Sequence, residues 1–145
     1  MRIVLSVLVI SALSLMSASV CAAQTEEERE VGVVPTIIGT WVNPVGTVKV
    51  RTSQCGSYLC GRVVWASDKA ISIAKDNGTP QLIGTNLLRE YRALADGKYE
   101  GTVFVPDVGR SFNSVIRPVD KDTMRISGCM IGKLICKSQI WKREP

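Results

Sequence analysis

From position 36 onward, apolar and polar residues alternate over short runs. Between Thr47 and Thr52, Val48 and Val50 fall on one face and Lys49 and Arg51 on the other, the two-residue period of a half-buried β-strand. Leu59, Gly61, Val63 and Trp65 continue that period on a facing strand, with Arg62 pointing away from Val63 and Trp65. Tyr99, Gly101, Val103 and Val105 share a face further on, Arg110 to Arg117 returns, Met124 and Ile126 face inward on the next run, and Leu134 to Lys142 is the last. A first strand is predicted over Ile37 to Trp41. Turn chemistry separates these runs: Asn43, Pro44, Val45 and Gly46, then Pro106 to Gly109, then Pro118 to Asp122.

Two stretches are less regular. Leu87, Leu88, Tyr91 and Leu94 fit a helical turn about as well as a strand, and both readings stay open. Ser67 to Gly84 has no clear period, with a turn signal over Asp76, Asn77, Gly78, Thr79 and Pro80; a loop of this length is either functional or loosely ordered. Seven or eight short strands at hairpin spacing, with no long helix between them, predict an all-β fold, a small antiparallel barrel or sandwich.

The first 22 residues follow a different pattern. Arg2 is followed by an almost unbroken apolar run from Ile3 to Met16, and then by the small-residue region Val20, Cys21, Ala22 and Ala23. This predicts an export signal cleaved after Ala22 or Ala23, a periplasmic or secreted destination, and no membrane span in the mature chain. Residues 23–35 read as a mobile acidic leader, containing QTEEERE at Gln24 to Glu30, and residues 36–145 as one domain. From Thr36 onward there are sixteen Lys and Arg against nine Asp and Glu, a net charge of +7. Such a domain is attracted to anionic surfaces, whether lipid headgroups or acidic wall polymers. The basic residues are scattered singly, which argues against nucleic acid as a partner.

Two segments carry the cysteines: QCGSYLCGRVVW, from Gln54 to Trp65, and GCMIGKLICKSQIW, from Gly128 to Trp141. In an oxidising compartment the even set Cys55, Cys60, Cys129 and Cys136 favours two disulfides. The short loops make local pairing within each segment the simplest arrangement, and long-range pairings stay open. Zinc ligation and dithiol redox chemistry fit poorly, because the spacings are wrong and an export destination does not keep thiolates reduced. No cofactor and no metal are expected.

Histidine is absent from the chain, which removes Ser/His/Asp and Cys/His nucleophile pairs, histidine metal sites and a histidine general base. Of the aspartates in the domain, Asp68, Asp76, Asp96, Asp107, Asp120 and Asp122, nearly all sit at turn positions, where local hydrogen bonding accounts for them. No catalytic residues are assigned, and a hydrolase or isomerase reading would require carboxylates to converge with each other or with Tyr91 or Tyr99. Ligand-binding candidates are Trp41, Trp65 and Trp141, which either line an apolar pocket or fill the barrel, and Arg62, which either binds an anion or faces solvent.

Together these motifs resemble a family of exported bacterial proteins, domain of unknown function 2147. The resemblance rests on Gly39 to Trp41, on Cys55, Gly56, Leu59, Cys60 and Gly61, on Asp76 and Asn77, on Gly101, Pro106 and Gly109, and on Gly128, Cys129, Cys136 and Trp141. The chain departs from the pattern at Gly78 and Thr79, which precede Pro80, and at Val105, where aspartate is usual before proline. The resemblance implies an envelope or secreted protein with a lipocalin-like antiparallel barrel, and implies no activity.

The leading expectation is a non-enzymatic binding module whose barrel holds a small apolar or amphipathic ligand. The alternative is a structural or protein-interaction module of the envelope, with a filled barrel and a basic outer face meeting an envelope component or exported protein. A third reading, an inhibitor of an exported enzyme, would act through Ser67 to Gly84.

Overall fold

Alternating runs become strands in the computed structural model, which describes residues 35–130 and 135–145. The expected export signal and most of the expected leader, residues 1–34, and residues 131–134 lie outside the described residues. Pro35–Ile37 forms one 3-10 turn, followed by β1 (Gly39–Val42), β2 (Val48–Cys55), β3 (Tyr58–Ala66), α1 (Asp68–Asp76), β4 (Asn86–Ala93), β5 (Tyr99–Val105), β6 (Arg110–Asp120), β7 (Thr123–Met130) and β8 (Ile135–Arg143). Each strand pairs antiparallel with the next, and β8 returns to β1, placing Trp41 opposite Arg143 and Val42 opposite Lys142. The barrel-or-sandwich alternative therefore resolves to a closed eight-stranded barrel.

Three expectations are corrected. Ile37 ends the 3-10 turn rather than opening a strand, since Pro35 holds a helical φ at its start. Ser67 to Gly84 contains a helix: Ser67 caps α1 by accepting from the Ala70 N–H at 3.3 Å, and Lys75 sits in its last turn. Ala70, Ile71 and Ala74 supply its apolar side, with Ala74 fully buried. That signal was short, and the turn residues after it masked it.

The third correction concerns Trp65. Lys49 pairs with Trp65 but Val50 pairs with Val63, so Val64 is an extra residue in β3. This bulge reverses the alternation beyond it. Ala66 then turns inward, and Trp65, expected beside Val63, lies on the outer wall at 42% exposure.

A second bulge settles the ambiguous stretch as strand β4. The register shifts between Arg89 and Arg92, and Glu90 adopts φ 51°. Leu88 and Tyr91, three residues apart, consequently both face inward. Their helix-like spacing is produced by an irregular strand.

The inward side chains form one core of Trp41, Val50, Leu59, Val63, Leu88, Tyr91, Tyr99, Ile116 and Met124, all essentially inaccessible to solvent. Buried Ile37 comes from the turn before β1, at one end of the barrel. Buried Ala74 and Leu82 come from the β3–β4 connection, at the other. The Ile37 end is lashed together by Arg143. Its Nε donates to the Lys121 carbonyl at 2.7 Å, its Nη1 to the Ile38 carbonyl at 2.9 Å and its Nη2 to the Thr36 carbonyl. The guanidinium also lies over the Trp41 ring, 4.3 Å from the centroid.

Candidate functional site

The polar groups of the barrel interior satisfy one another. Trp41 Nε1 donates to Thr52 Oγ1 at 3.1 Å and toward the Ile37 carbonyl at 3.2 Å, and the Thr52 hydroxyl donates to the same carbonyl at 2.6 Å. The Tyr91 hydroxyl is hydrogen-bonded to Ser114 Oγ. Burial pushes the Tyr91 phenol up to about 12 against the opposing pull of the Ser114 bond, so it stays protonated at neutral pH and cannot serve as a base there. Among the described residues, no buried side-chain nitrogen or oxygen lacks a hydrogen-bond partner.

Space is equally limited at two inward glycines. A Cβ on Gly61 would sit 2.7 Å from Leu88 Cδ1 and 2.9 Å from Val50 Cγ1. On Gly101 it would sit 2.7 Å from Tyr91 Cγ and 2.8 Å from both the Arg89 carbonyl oxygen and Tyr91 Cα. At these positions the barrel has no room for a methyl group.

The candidate residues are thus divided. Trp41 and Trp141 are buried, with Trp141 Nε1 donating to Gln139 Oε1 at 3.0 Å, while Trp65 stands outside. Arg62 is also on the outer wall, exposed, with Nε donating to Asn86 Oδ1 at 3.3 Å. The three tryptophans do not line one pocket. The cysteines pair locally, Cys55 with Cys60 across the β2–β3 hairpin and Cys129 with Cys136 across the β7–β8 hairpin. A shallow depression of about 390 Å³ lies among Thr36, Lys121, Asp122 and Arg143. Its charged groups are already engaged: Lys121 Nζ is 2.7 Å from Asp122, and Arg143 Nε is 3.9 Å from it.

On the outer wall the registers place Thr40, Arg51, Arg62 and Asn86 in one row across β1 to β4, and Val42, Lys49 and Trp65 in the next. Arg51 and Arg62 stand directly opposite each other, an unfavourable like-charge pair. Lys49 pairs with Glu144 and lies 5.3 Å from the Trp65 centroid. Arg89 donates from Nε to the Asn86 carbonyl at 2.9 Å and lies over the Phe104 ring. Among the described residues, Arg51, Arg62 and Arg89 form no ion pair. Sequence reasoning singled out only Arg62 here. The alternation of Lys49 and Arg51 with Val48 and Val50 was the available signal for its neighbours.

The sequence model of one bacterial family, described as uncharacterized protein conserved in bacteria (DUF2147), matches residues 39–143. The chain belongs to DUF2147. No curated protein and no solved structure matches it.

The positions that suggested DUF2147 from sequence have structural roles in the barrel. Gly39 leaves space for the Arg143 guanidinium, whose Nη1 would meet a Cβ there at 2.0 Å. Asn77 caps the C-terminus of α1 through its N–H and through Nδ2, which donates to the Ile73 carbonyl at 2.9 Å. Gly109, at φ 63°, admits the Asn77 carbonyl oxygen within 2.5 Å of where a Cβ would be. None of these DUF2147 positions converges on a nucleophile or a carboxylate pair, and among the described residues no three metal-ligating side chains gather.

Proposed function

We propose that this protein is a non-enzymatic interaction module of the bacterial envelope, in which the closed barrel is a rigid scaffold and its outer wall meets the partner. The observation carrying this reading is the packed centre of the barrel among the described residues: Trp41, Tyr91 and Tyr99 lie there at 0–1% exposure, and Gly61 and Gly101 leave no space for one added carbon. A lipocalin-type ligand requires a cavity of hundreds of cubic ångströms. The basic charge of the domain supplies the attraction, and the export signal read from the sequence supplies the compartment.

Native mass measurement of the protein purified from its own cell envelope tests this directly. The expected result is a chain with both disulfides closed and no small molecule released on denaturation, held on envelope fractions at low salt and washed off at high salt. A small molecule lost on denaturation would refute the reading and restore the ligand-holding barrel.

A further inference from the structure

The outer wall of β2 and β3 carries a directly opposed pair of arginines beside exposed apolar surface. Arg51 and Arg62 repel each other across the strands, and neither has a carboxylate within ion-pair distance among the described residues. The barrel has another directly opposed arginine pair, Arg117 and Arg125 across β6 and β7. An external oxyanion would relieve the repulsion of the β2–β3 pair, which stands beside the exposed indole of Trp65.

The same wall exposes apolar surface. The β3 bulge places Val64 and Trp65 side by side at 39% and 42% exposure, next to Lys49 and one row from Arg51 and Arg62. Cations around an exposed indole are the combination that suits the headgroup region of a bilayer, where phosphates meet the ends of acyl chains. The outer wall of a barrel is convex and has no groove to seat a peptide, whereas lipid headgroups rearrange around it. Acidic residues on the adjoining strands are few: Glu144 is spent on Lys49, and Glu90 and Glu100 lie on β4 and β5.

We propose that the β2–β3 wall, centred on Arg51, Arg62 and Trp65, docks this protein onto an anionic lipid surface, the Arg51–Arg62 pair taking headgroup phosphates and Trp65 entering the interface. This rests on the interaction-module reading and gives it a partner and a site. Each basic residue beside an anionic bilayer contributes roughly fivefold to partitioning, so removing two costs roughly thirtyfold.

The experiment is partitioning of the protein, as purified from its own cells, between buffer and vesicles of phosphatidylglycerol mixed with phosphatidylcholine, with pure phosphatidylcholine vesicles alongside. R51Q/R62Q is compared with R117Q/R125Q, which removes the same charge from the opposite wall; all four side chains are exposed, and circular dichroism checks that both variants fold. The expected result is preference for anionic vesicles, a roughly thirtyfold loss in R51Q/R62Q, and at most a few-fold loss in R117Q/R125Q. Binding should shift tryptophan emission to the blue, and W65F should abolish the shift because Trp41 and Trp141 are already buried. Equal losses in the two double variants, or no preference for anionic over neutral vesicles, would overturn the proposal. Salt-sensitive envelope retention without vesicle binding would overturn the lipid assignment alone, leaving an acidic polymer or protein as partner. A small molecule released on denaturation would instead defeat the interaction-module reading itself.

Discussion

Adding one methyl group inside the barrel tests the central observation. In Gly101→Ala the new Cβ lies 2.8 Å from the Arg89 carbonyl oxygen and from Tyr91 Cα, both backbone atoms of β4, as well as 2.7 Å from Tyr91 Cγ. Neither backbone atom can move without displacing the β4–β5 ladder or the Tyr91–Ser114 hydrogen bond. Overpacking of a dense core costs about 1–3 kcal/mol, and with backbone on the receiving side the upper end applies, about 3 kcal/mol. In Gly61→Ala the contacts are all side-chain atoms, Leu88 Cδ1, Leu88 Cγ and Val50 Cγ1, which can yield by rotation. About 1–2 kcal/mol is expected there, softened further by the better strand propensity of alanine. Urea denaturation followed by tryptophan fluorescence, with disulfides intact, measures both. The order is the diagnostic result: Gly101→Ala destabilised more than Gly61→Ala, with unchanged denaturant slope. If either variant were as stable as the parent or more stable, the barrel would have unfilled space at that level. An internal ligand would then have room.

Other perturbations have defined outcomes. Arg143→Ala removes three hydrogen bonds to carbonyls and the stacking on Trp41, and should cost about 3 kcal/mol, lowering Tm by on the order of 10 °C; Arg143→Lys, without the guanidinium fork, should recover less than half, and a loss below about 1 kcal/mol in thermal melts would contradict the lash at this end. Because burial holds Tyr91 up to about 12, the folded state resists ionisation that the unfolded phenol undergoes near pH 10. Stability from this group is therefore intact below about pH 10 and declines by about 3 kcal/mol as pH rises through 12; denaturation midpoints against pH should show a decline that Tyr91→Phe flattens. Replacing Cys55 and Cys60 together by alanine should cost about 2 kcal/mol through loop entropy and leave vesicle partitioning unchanged once the protein is folded, as judged by denaturation and sedimentation side by side.

How much was legible in advance depends on the range of the interaction responsible. Alternation in Thr47 to Thr52, Tyr99 to Val105 and the runs around Met124 specified strands, because a half-buried strand imposes a two-residue period on its own sequence. Most turns were legible for the same local reason, although Pro118 to Asp120, expected in a turn, continue β6; so was the local disulfide pairing, since short loops close easily. The candidate site was legible only in part. Arg62 was identified, but Arg51 and Lys49 read merely as the polar side of a strand, and Trp65 was assigned to the wrong face.

That misassignment has a definite cause. A bulge inserts one residue without changing the composition around it, and Val64 looks like any other strand valine until its pairing with β2 is known. The same holds for Glu90, whose bulge made strand β4 imitate a helix. Closure of β8 onto β1 and the reach of Arg143 to Thr36 and Ile38 were invisible for a related reason: they join residues about a hundred positions apart. By itself the sequence determined most of the strands and turns, the local staples and a net basic domain. Tertiary structure alone decided which side chains fill the interior and which meet the outside, because inside and outside are defined by the register of neighbouring strands and have no local signature.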